Sequence, residues 1–357
     1  MLLMAAIGGV QKTAVYDLIL AQGISIDYTN ISGANALLLL SGATLEDTST
    51  FQYFIDKRMP IDTKDNDGNK LFFYAARGGN INAMKFWKQN GVAYDDVNKK
   101  GENAVLFASQ GMKRKAMRLE VFKYLSDELA LEVDQVNWEG KTPLHLSARR
   151  GNPELFNFFI NKGVSANQID ENGNTALINA AVGSIENLEK IAVVSKTIVH
   201  QNQLGKSAIT IAIERGKKEN FDFLLSKGAD LNSKDAMGND LMYYVFKSYN
   251  SNKKELTQYF IDQLILAGLD GKKIYENENT LVYLAIEKYS VFLLNKAIEM
   301  GTNINFKNNM NISPLHLAAM KASNKELIDV LLKNGAEKKH LLSSMKVPMI
   351  WLYKMNY

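Results

Sequence analysis

The chain has 357 residues, 46% of them hydrophobic, no cysteine and a formal charge of +4. The missing cysteines exclude disulfides and thiolate metal sites, and the charge is mild beside the concentrated basic faces of nucleic-acid binders. No run approaches the ~18 apolar residues of a membrane-crossing helix, so neither nucleic acid nor membrane insertion is expected. At ~150 residues per domain the length suggests two or three globular domains. A pattern that recurs about every 33 residues predicts stacked supersecondary units instead, forming one elongated array with an extended working surface.

In chain order, Leu3-Met4-Ala5-Ala6-Ile7-Gly8-Gly9 matches Leu146 to Gly151 in kind, so Met1 to Val10 read as the interior of a unit's first helix. No turn or cap precedes them, and a solenoid end needs a polar cap. The natural product is therefore expected to begin earlier, with more repeats and an export signal; a degenerate capping helix is the alternative. Turn glycines follow at Gly33, Gly68, Gly101, Gly140, Gly173, Gly205 and Gly238. Asn311 takes that place in the last unit, because Asn tolerates left-handed backbone, and Glu278 marks an altered turn in the unit before it.

The clearest copy runs from Asn137 to Gln168. After its glycine turn, Thr142 is placed to cap a helix with Pro143 at the first position, where a missing N–H costs nothing. Leu144, Leu146, Ser147 and Ala148 form this short helix, which Gly151 is expected to end. A second helix carries Leu155, Phe156, Phe158, Phe159 and Ile160 and stops at Gly163. The caps recur at Thr175, Ser207, Asp240, Thr280 and Ser313. Small pairs recur at Ala75-Ala76, Ala180-Ala181 and Ala318-Ala319, and helix-ending glycines at Gly91, Gly228, Gly268, Gly301 and Gly335. Insertions are expected at Gln110–Leu119, with Lys113, Arg114, Lys115 and Arg118, and at Ser248–Lys254. The first could meet an acidic partner or phosphate, or be a solvated charge run. Residues 339–357 break the pattern, with Pro348 inside the expected closing helix. Reading Met345 to Tyr357 one base out of frame gives a string like a capping helix, so a frameshifted or disordered tail is expected; an amphipathic tail around Trp351 is the alternative.

The segments TPLHLSARRGN, KGADLN and SPLHLAAM resemble the ankyrin repeat, over about residues 1–338. The resemblance implies an all-α solenoid of about ten helix-turn-helix units with β-hairpin fingers, the first unit partial. More narrowly, the degenerate units with inserted loops resemble bacterial ankyrin-repeat proteins of the Bacteroidetes type, a likeness that carries no known activity. His145 and His316 tempt a catalytic or metal reading, but in the repeat this histidine ties one hairpin to the next. His200 and His340 have no carboxylate or serine constellation attached. No phosphate loop, dinucleotide fingerprint or zinc spacing occurs, so no enzyme, cofactor or metal is expected.

The aromatics Phe86, Trp87, Tyr124, Phe158, Phe159, Tyr259 and Phe260 fall at core spacing on second helices. By analogy with the family, Arg77, Arg149, Arg150, Glu214 and Arg215 lie on the concave side. The turn residues Asn66, Asp67, Trp138, Glu139, Glu171, Asn172, Gln203 and Leu204 line the same groove. Trp138 reads equally as a partner anchor or as packing between fingers. The expected function is non-enzymatic: a monomeric scaffold that binds an unidentified protein through its concave face and hairpin tips. The alternative is a spacer or chaperone-like accessory beside an envelope or metabolic enzyme. The absence of cysteine fits a cytoplasmic location, or a periplasmic one if an export signal precedes the chain.

Overall fold

The computed structural model describes residues 1–45, 47–112, 116–275, 279–321 and 325–338. They form two compact units, Met1–His200 and the described residues from Gln201 onward. Both are all-α, and β-structure among the described residues is confined to isolated bridges such as Lys64 with Lys70 and Gln201 with Ser207. These bridges pinch the base of a finger.

In the first unit, inner helices α1 (Leu2–Ile7), α3 (Ala36–Ser41), α5 (Leu71–Gly78), α7 (Ala104–Ser109), α9 (Pro143–Ser147) and α11 (Ala176–Ala180) pack in chain order. Each is followed by an outer helix: α2 (Thr13–Leu20), α4 (Ser49–Asp56), α6 (Ile81–Gln89), α8 (Leu119–Lys123), α10 (Pro153–Asn161) and α12 (Ile185–Val194). A π-helical turn at Tyr124–Glu128 continues α8. The second unit repeats the plan. Its inner helices are α13 (Ala208–Arg215), α15 (Leu241–Lys247), α17 (Leu281–Glu287) and α19 (Pro314–Met320), and its outer ones are α14 (Lys218–Ser226), α16 (Lys254–Leu266), α18 (Val291–Glu299) and α20 (Lys325–Lys333).

Thr142, Thr175, Ser207, Asp240, Thr280 and Ser313 are the N-cap residues of their helices, as the spacing predicts. Asn35 and Asn103 fill the same role in α3 and α7. Asn311 adopts left-handed backbone at φ 57°, where the other turns hold glycine. Gly151 departs from its expected role. Helical geometry stops at Ser147, the chain turns through Arg150, and Gly151 is not left-handed. The glycine stops of the outer helices at Gly91, Gly163, Gly228, Gly268, Gly301 and Gly335 are left-handed.

The small residues let helices approach closely. A Cβ on Gly78 would lie 2.2 Å from the Gly42 carbonyl oxygen, so α5 could not sit against α3 with a larger residue there. Buried amides also stitch outer helices to the preceding repeat. Asn80 Nδ2 donates to the Ala43 carbonyl (2.9 Å), and Asn187 Nδ2 to that of Gly151 (3.0 Å). The second-helix aromatics divide. Trp87, Tyr124, Phe159 and Phe260 are buried, whereas Phe86, Phe158 and Tyr259 are half-buried against them. The expectations for Glu278, Lys113 to Lys115, His340 and the tail from residue 339 lie outside the described residues.

Candidate functional site

Every well-formed finger begins with Asp or Asn, a signal that the glycine register alone does not reveal. Asp65 Oδ1 accepts the N–H groups of Asp67 (3.0 Å) and Asn69 (2.9 Å), and Asn98, Asn137 and Asp170 repeat the arrangement. Asn202, Asp235 and Asn308 do so in the second unit. One side chain thus satisfies two turn donors and fixes where the tip points. Successive tips are then joined through the backbone. Asn66 N–H donates to Ser32, Lys99 to Asp67, Trp138 to Lys100 and Glu171 to Glu139, at 2.8–3.0 Å; in the second unit Ala236 donates to Leu204. Within the first unit the tips from Ser32 to Glu171 are thus held one to the next.

The histidines belong to this framework. Thr142 N–H points to His145 Nδ1 (3.3 Å), so Nδ1 is the acceptor and Nε2–H donates to the Asn174 carbonyl in the next finger (3.0 Å). Burial holds the His145 imidazole below its ordinary pKa of 6.5. His200 Nε2 lies 2.8 Å from the Gly173 carbonyl. Among the described residues, no three His, Asp or Glu gather where they could hold a metal ion.

In the first unit the fingers and inner helices enclose a groove cavity of about 310 Å³ that contains Asp67 and Arg77 together. Tyr74, Lys100 and Phe107, which the sequence alone did not single out, line it as well, together with Gln110, the first residue of the expected insertion. Arg77 lies half-buried with its guanidinium 4.9 Å from the Phe107 ring centroid. Lys100 Nζ pairs with Asp67 at 2.7 Å. Tyr74 Oη–H donates to Asp65 Oδ2 (2.9 Å), and burial first, then the Asp65 charge, pushes the phenol well above its ordinary pKa. Asn66 is exposed, but its side-chain amide donates to the Ile31 carbonyl (3.1 Å), so it also braces the preceding finger.

Trp138 is 72% exposed, yet one face of its indole covers Gly101, where a Cβ would come within 2.5 Å of Cδ1. Anchor and packing surface are thus two sides of one ring. Glu139 pairs with Lys141, and Glu171, Asn172, Arg149 and Arg150 are exposed. In the second unit, Gln203 and Leu204 form an exposed tip, Glu214 pairs with Lys206 at 2.7 Å, and Arg215 is exposed. Met237 and Met310 share the offset of Leu204 two residues beyond their Asp or Asn, and are 62% and 69% exposed. That common offset is the signal by which they could have been found.

Ankyrin-repeat profiles match this chain in three overlapping copies, at residues 72–170, 115–193 and 149–235, and once more at 310–340. The chain belongs to the ankyrin-repeat family. Ankyrin repeats generally mediate protein–protein interaction, and the family is typically non-catalytic. Alpha-latroinsectotoxin-Lt1a of Latrodectus tredecimguttatus is 25% identical over 36% of this ankyrin chain and 9% of its own length. Protein VAPYRIN-LIKE of Medicago truncatula is 25% identical over 50% of the chain and 42% of its own length. The B-cell lymphoma 3 protein homolog of Mus musculus is 24% identical over 56% and 44% respectively. The chain spans less than half the length of each of these relatives. No helix among the described residues is long and apolar enough to cross a membrane.

Proposed function

We propose that this chain is a non-enzymatic scaffold that holds a partner protein against its inner helices and finger tips. The observation that carries this reading is the first unit's groove. There a half-buried arginine, Arg77, lies on Phe107 and forms no ion pair among the described residues, while a mostly exposed tryptophan, Trp138, stands two fingers further along the same unit. Arginine and tryptophan dominate the energetics of protein interfaces, because both combine a large flat surface with directed donors. The backbone ladder between tips and the doubly satisfied Asp and Asn side chains hold these groups in place before binding, so little ordering entropy is lost on association.

The test compares the immobilised full chain with its Trp138→Ala/Arg149→Ala/Arg150→Ala variant for proteins retained from a lysate of the source cell. A protein held stoichiometrically by the parent and lost by the variant, with helix content and melting unchanged, is the expected result. Equal retention removes this face from consideration, and the absence of any stoichiometric protein favours a spacer role.

A further inference from the structure

Three inner helices turn into their outer partners through one backbone arrangement. At the end of α5, Gly79 N–H donates to the Ala76 carbonyl and Asn80 N–H to that of Ala75, and Gly216 and Lys217 repeat the pair after α13. Both glycines are left-handed, at φ 72° and 63°. After α17 the same two bonds run from Tyr289 to Ile286 and from Ser290 to Ala285, and Tyr289 is left-handed at φ 51°. A bulky residue is strained there, because its Cβ crowds the neighbouring carbonyl, and the glycines at the same place show that the turn itself needs no side chain. The Tyr289 ring is 48% exposed, so burial does not account for it. Backbone strain of this kind clusters where a side chain acts on a ligand.

The ring stands among lysines that aromatic faces hold and no carboxylate neutralises. Lys321 Nζ lies 5.3 Å from the Tyr289 centroid and Lys254 Nζ 5.0 Å from that of Phe292, on which Tyr249 stacks. The ends of α15, α17 and α19 and the starts of the outer helices that follow carry six lysines, Lys247, Lys253, Lys254, Lys288, Lys321 and Lys325, against three carboxylates, Glu255, Glu287 and Glu326. None of the six lysines forms an ion pair with a described residue. We propose that Tyr289 anchors an acidic segment of the partner protein on the second unit. An apolar side chain of that segment covers the exposed part of the ring, and its carboxylates meet Lys254, Lys288 and Lys321. The proposal rests on the protein-binding reading above and gives that binding a second surface of stated chemistry. Tyrosine serves as an anchor because it brings a large flat surface with few rotatable bonds. The ring contacts hold ammonium groups near the anchor before binding, so less ordering is lost when carboxylates arrive. Tyr249 and Lys254 already occupy the Phe292 ring, so successive bases would not find neighbouring open faces, which favours a polypeptide over a nucleic acid.

Peptides selected from a randomised phage-displayed library on the full-length chain supply the probe, and fluorescence polarisation measures the enriched ones on variants. They are expected to carry Asp or Glu beside an apolar residue and to bind more weakly as salt rises. Tyr289→Asn places a residue that accepts left-handed backbone. It should weaken binding about tenfold or more while its melting temperature holds or rises. Tyr289→Phe should bind within about twofold of the parent, and Lys254→Gln/Lys288→Gln/Lys321→Gln should lose most of the salt dependence; circular dichroism confirms that all three fold. A clear fall in the melting temperature of Tyr289→Asn assigns the ring to packing and overturns the proposal, as does peptide binding equal to the parent's. Enriched peptides without acidic residues overturn the acidic partner. Peptides lost by the Trp138→Ala/Arg149→Ala/Arg150→Ala variant but kept by Tyr289→Asn overturn this surface and leave the first unit's groove standing, and the reverse pattern supports Tyr289 alone. A selection without binders overturns the proposal, while the groove is judged by its own retention test.

Discussion

The two units build the same inner row of helices and finish it with different chemistry. In Met1–His200 Arg77, Arg149 and Arg150 at the inner-helix ends form no ion pair among the described residues. Both interiors hold aromatic rings, Phe51, Phe54, Phe72, Phe73, Trp87 and Phe159 here and Phe221, Tyr244, Phe246, Phe260 and Tyr283 in the second unit. In the second unit Glu214 holds the place of Arg77 in α13 and is paired, while Arg215, Lys247, Lys288 and Lys321 at the inner-helix ends form no ion pair among the described residues. Lys206 pairs with Glu214 at 2.7 Å and lies 4.8 Å from the Tyr244 ring centroid, and Lys273 approaches Asp240 at 3.3 Å. The repeat framework dictates caps, turn residues and small contacts, since a change there breaks the stack. It leaves the electrostatics of the groove open, and there the two regions part.

The largest expected effect tests the aromatic interior. Trp87 is wholly buried with Nε1–H donating to Ser41 Oγ (3.0 Å), while Leu224 holds the matching place in the second unit. Trp87→Ala should cost about 3–5 kcal/mol and Leu224→Ala about 2–5 kcal/mol. Trp87→Ala should stand at the upper end, because it empties a larger volume and removes a buried hydrogen bond. Urea denaturation measures both; a cheaper Trp87→Ala would show that the larger volume and the buried hydrogen bond add nothing at this place in the repeat.

Next in size is a contrast between turns. Gly68 and Gly205 both have left-handed backbone, at φ 83° and 71°. A Cβ on Gly205 would lie 2.3 Å from the Ala236 nitrogen, whereas one on Gly68 would meet Lys99 no closer than 3.4 Å. Gly68→Ala should therefore cost only the left-handed strain, about 1–2 kcal/mol, and Gly205→Ala clearly more, as the next finger must move. Equal losses in thermal melts would show that the closer approach at Gly205 relaxes at no cost.

Most of the framework was legible in the sequence, for a physical reason. Left-handed turns admit glycine or asparagine, N-caps favour Ser, Thr or Asp, and close helix contacts need alanine, so each geometric demand leaves a residue at a fixed offset. Asn311 could be placed in its left-handed turn on that ground. The groove was less legible. Tyr74 and Phe107 occupy a position filled by leucine at 39 and 146, and nothing in their spacing separates a groove wall from core. The role of Glu102 depends on amides at Asn98, Gln110 and Asn137, the last in the next finger, which meet only once the chain has folded. Trp138 escaped a single reading because its two faces do different work.

A smaller effect separates two capping boxes by pH, those of α9 and α13; the histidine box recurs in the second unit at His316 of α19. His145 closes a capping box in the first unit as a neutral imidazole, and Thr210 fills the same place opposite Ser207 with a group that does not titrate. Burial lowers the folded-state pKa of His145 below 6.5, so its contribution to stability is fully present above that pH and is lost as pH falls through the folded value. Protonation would set a hydrogen on Nδ1 against the Thr142 N–H that now donates to it. His145→Gln should weaken the acid dependence of the midpoint between about pH 7 and 5, whereas Thr210→Ser should leave that dependence as it is. An unchanged slope in the His145 variant would place the acid sensitivity elsewhere.

The smallest effect on stability sharpens the comparison of charges most directly. The Lys206 and Glu214 side chains are 20% and 22% exposed, and Lys206 keeps the Tyr244 ring when the carboxylate is neutralised. Glu214→Gln should therefore cost no more than about 1 kcal/mol, and Arg77→Gln, which breaks no ion pair among the described residues, should cost no more. The two substitutions become distinguishable when a ligand is present. Removing a charge that is already answered within the unit leaves little for a partner to lose, while removing an unanswered one deletes a contact that only the partner could complete. A loss of partner binding in Glu214→Gln equal to that in Arg77→Gln would show that internal pairing does not withdraw a residue from recognition.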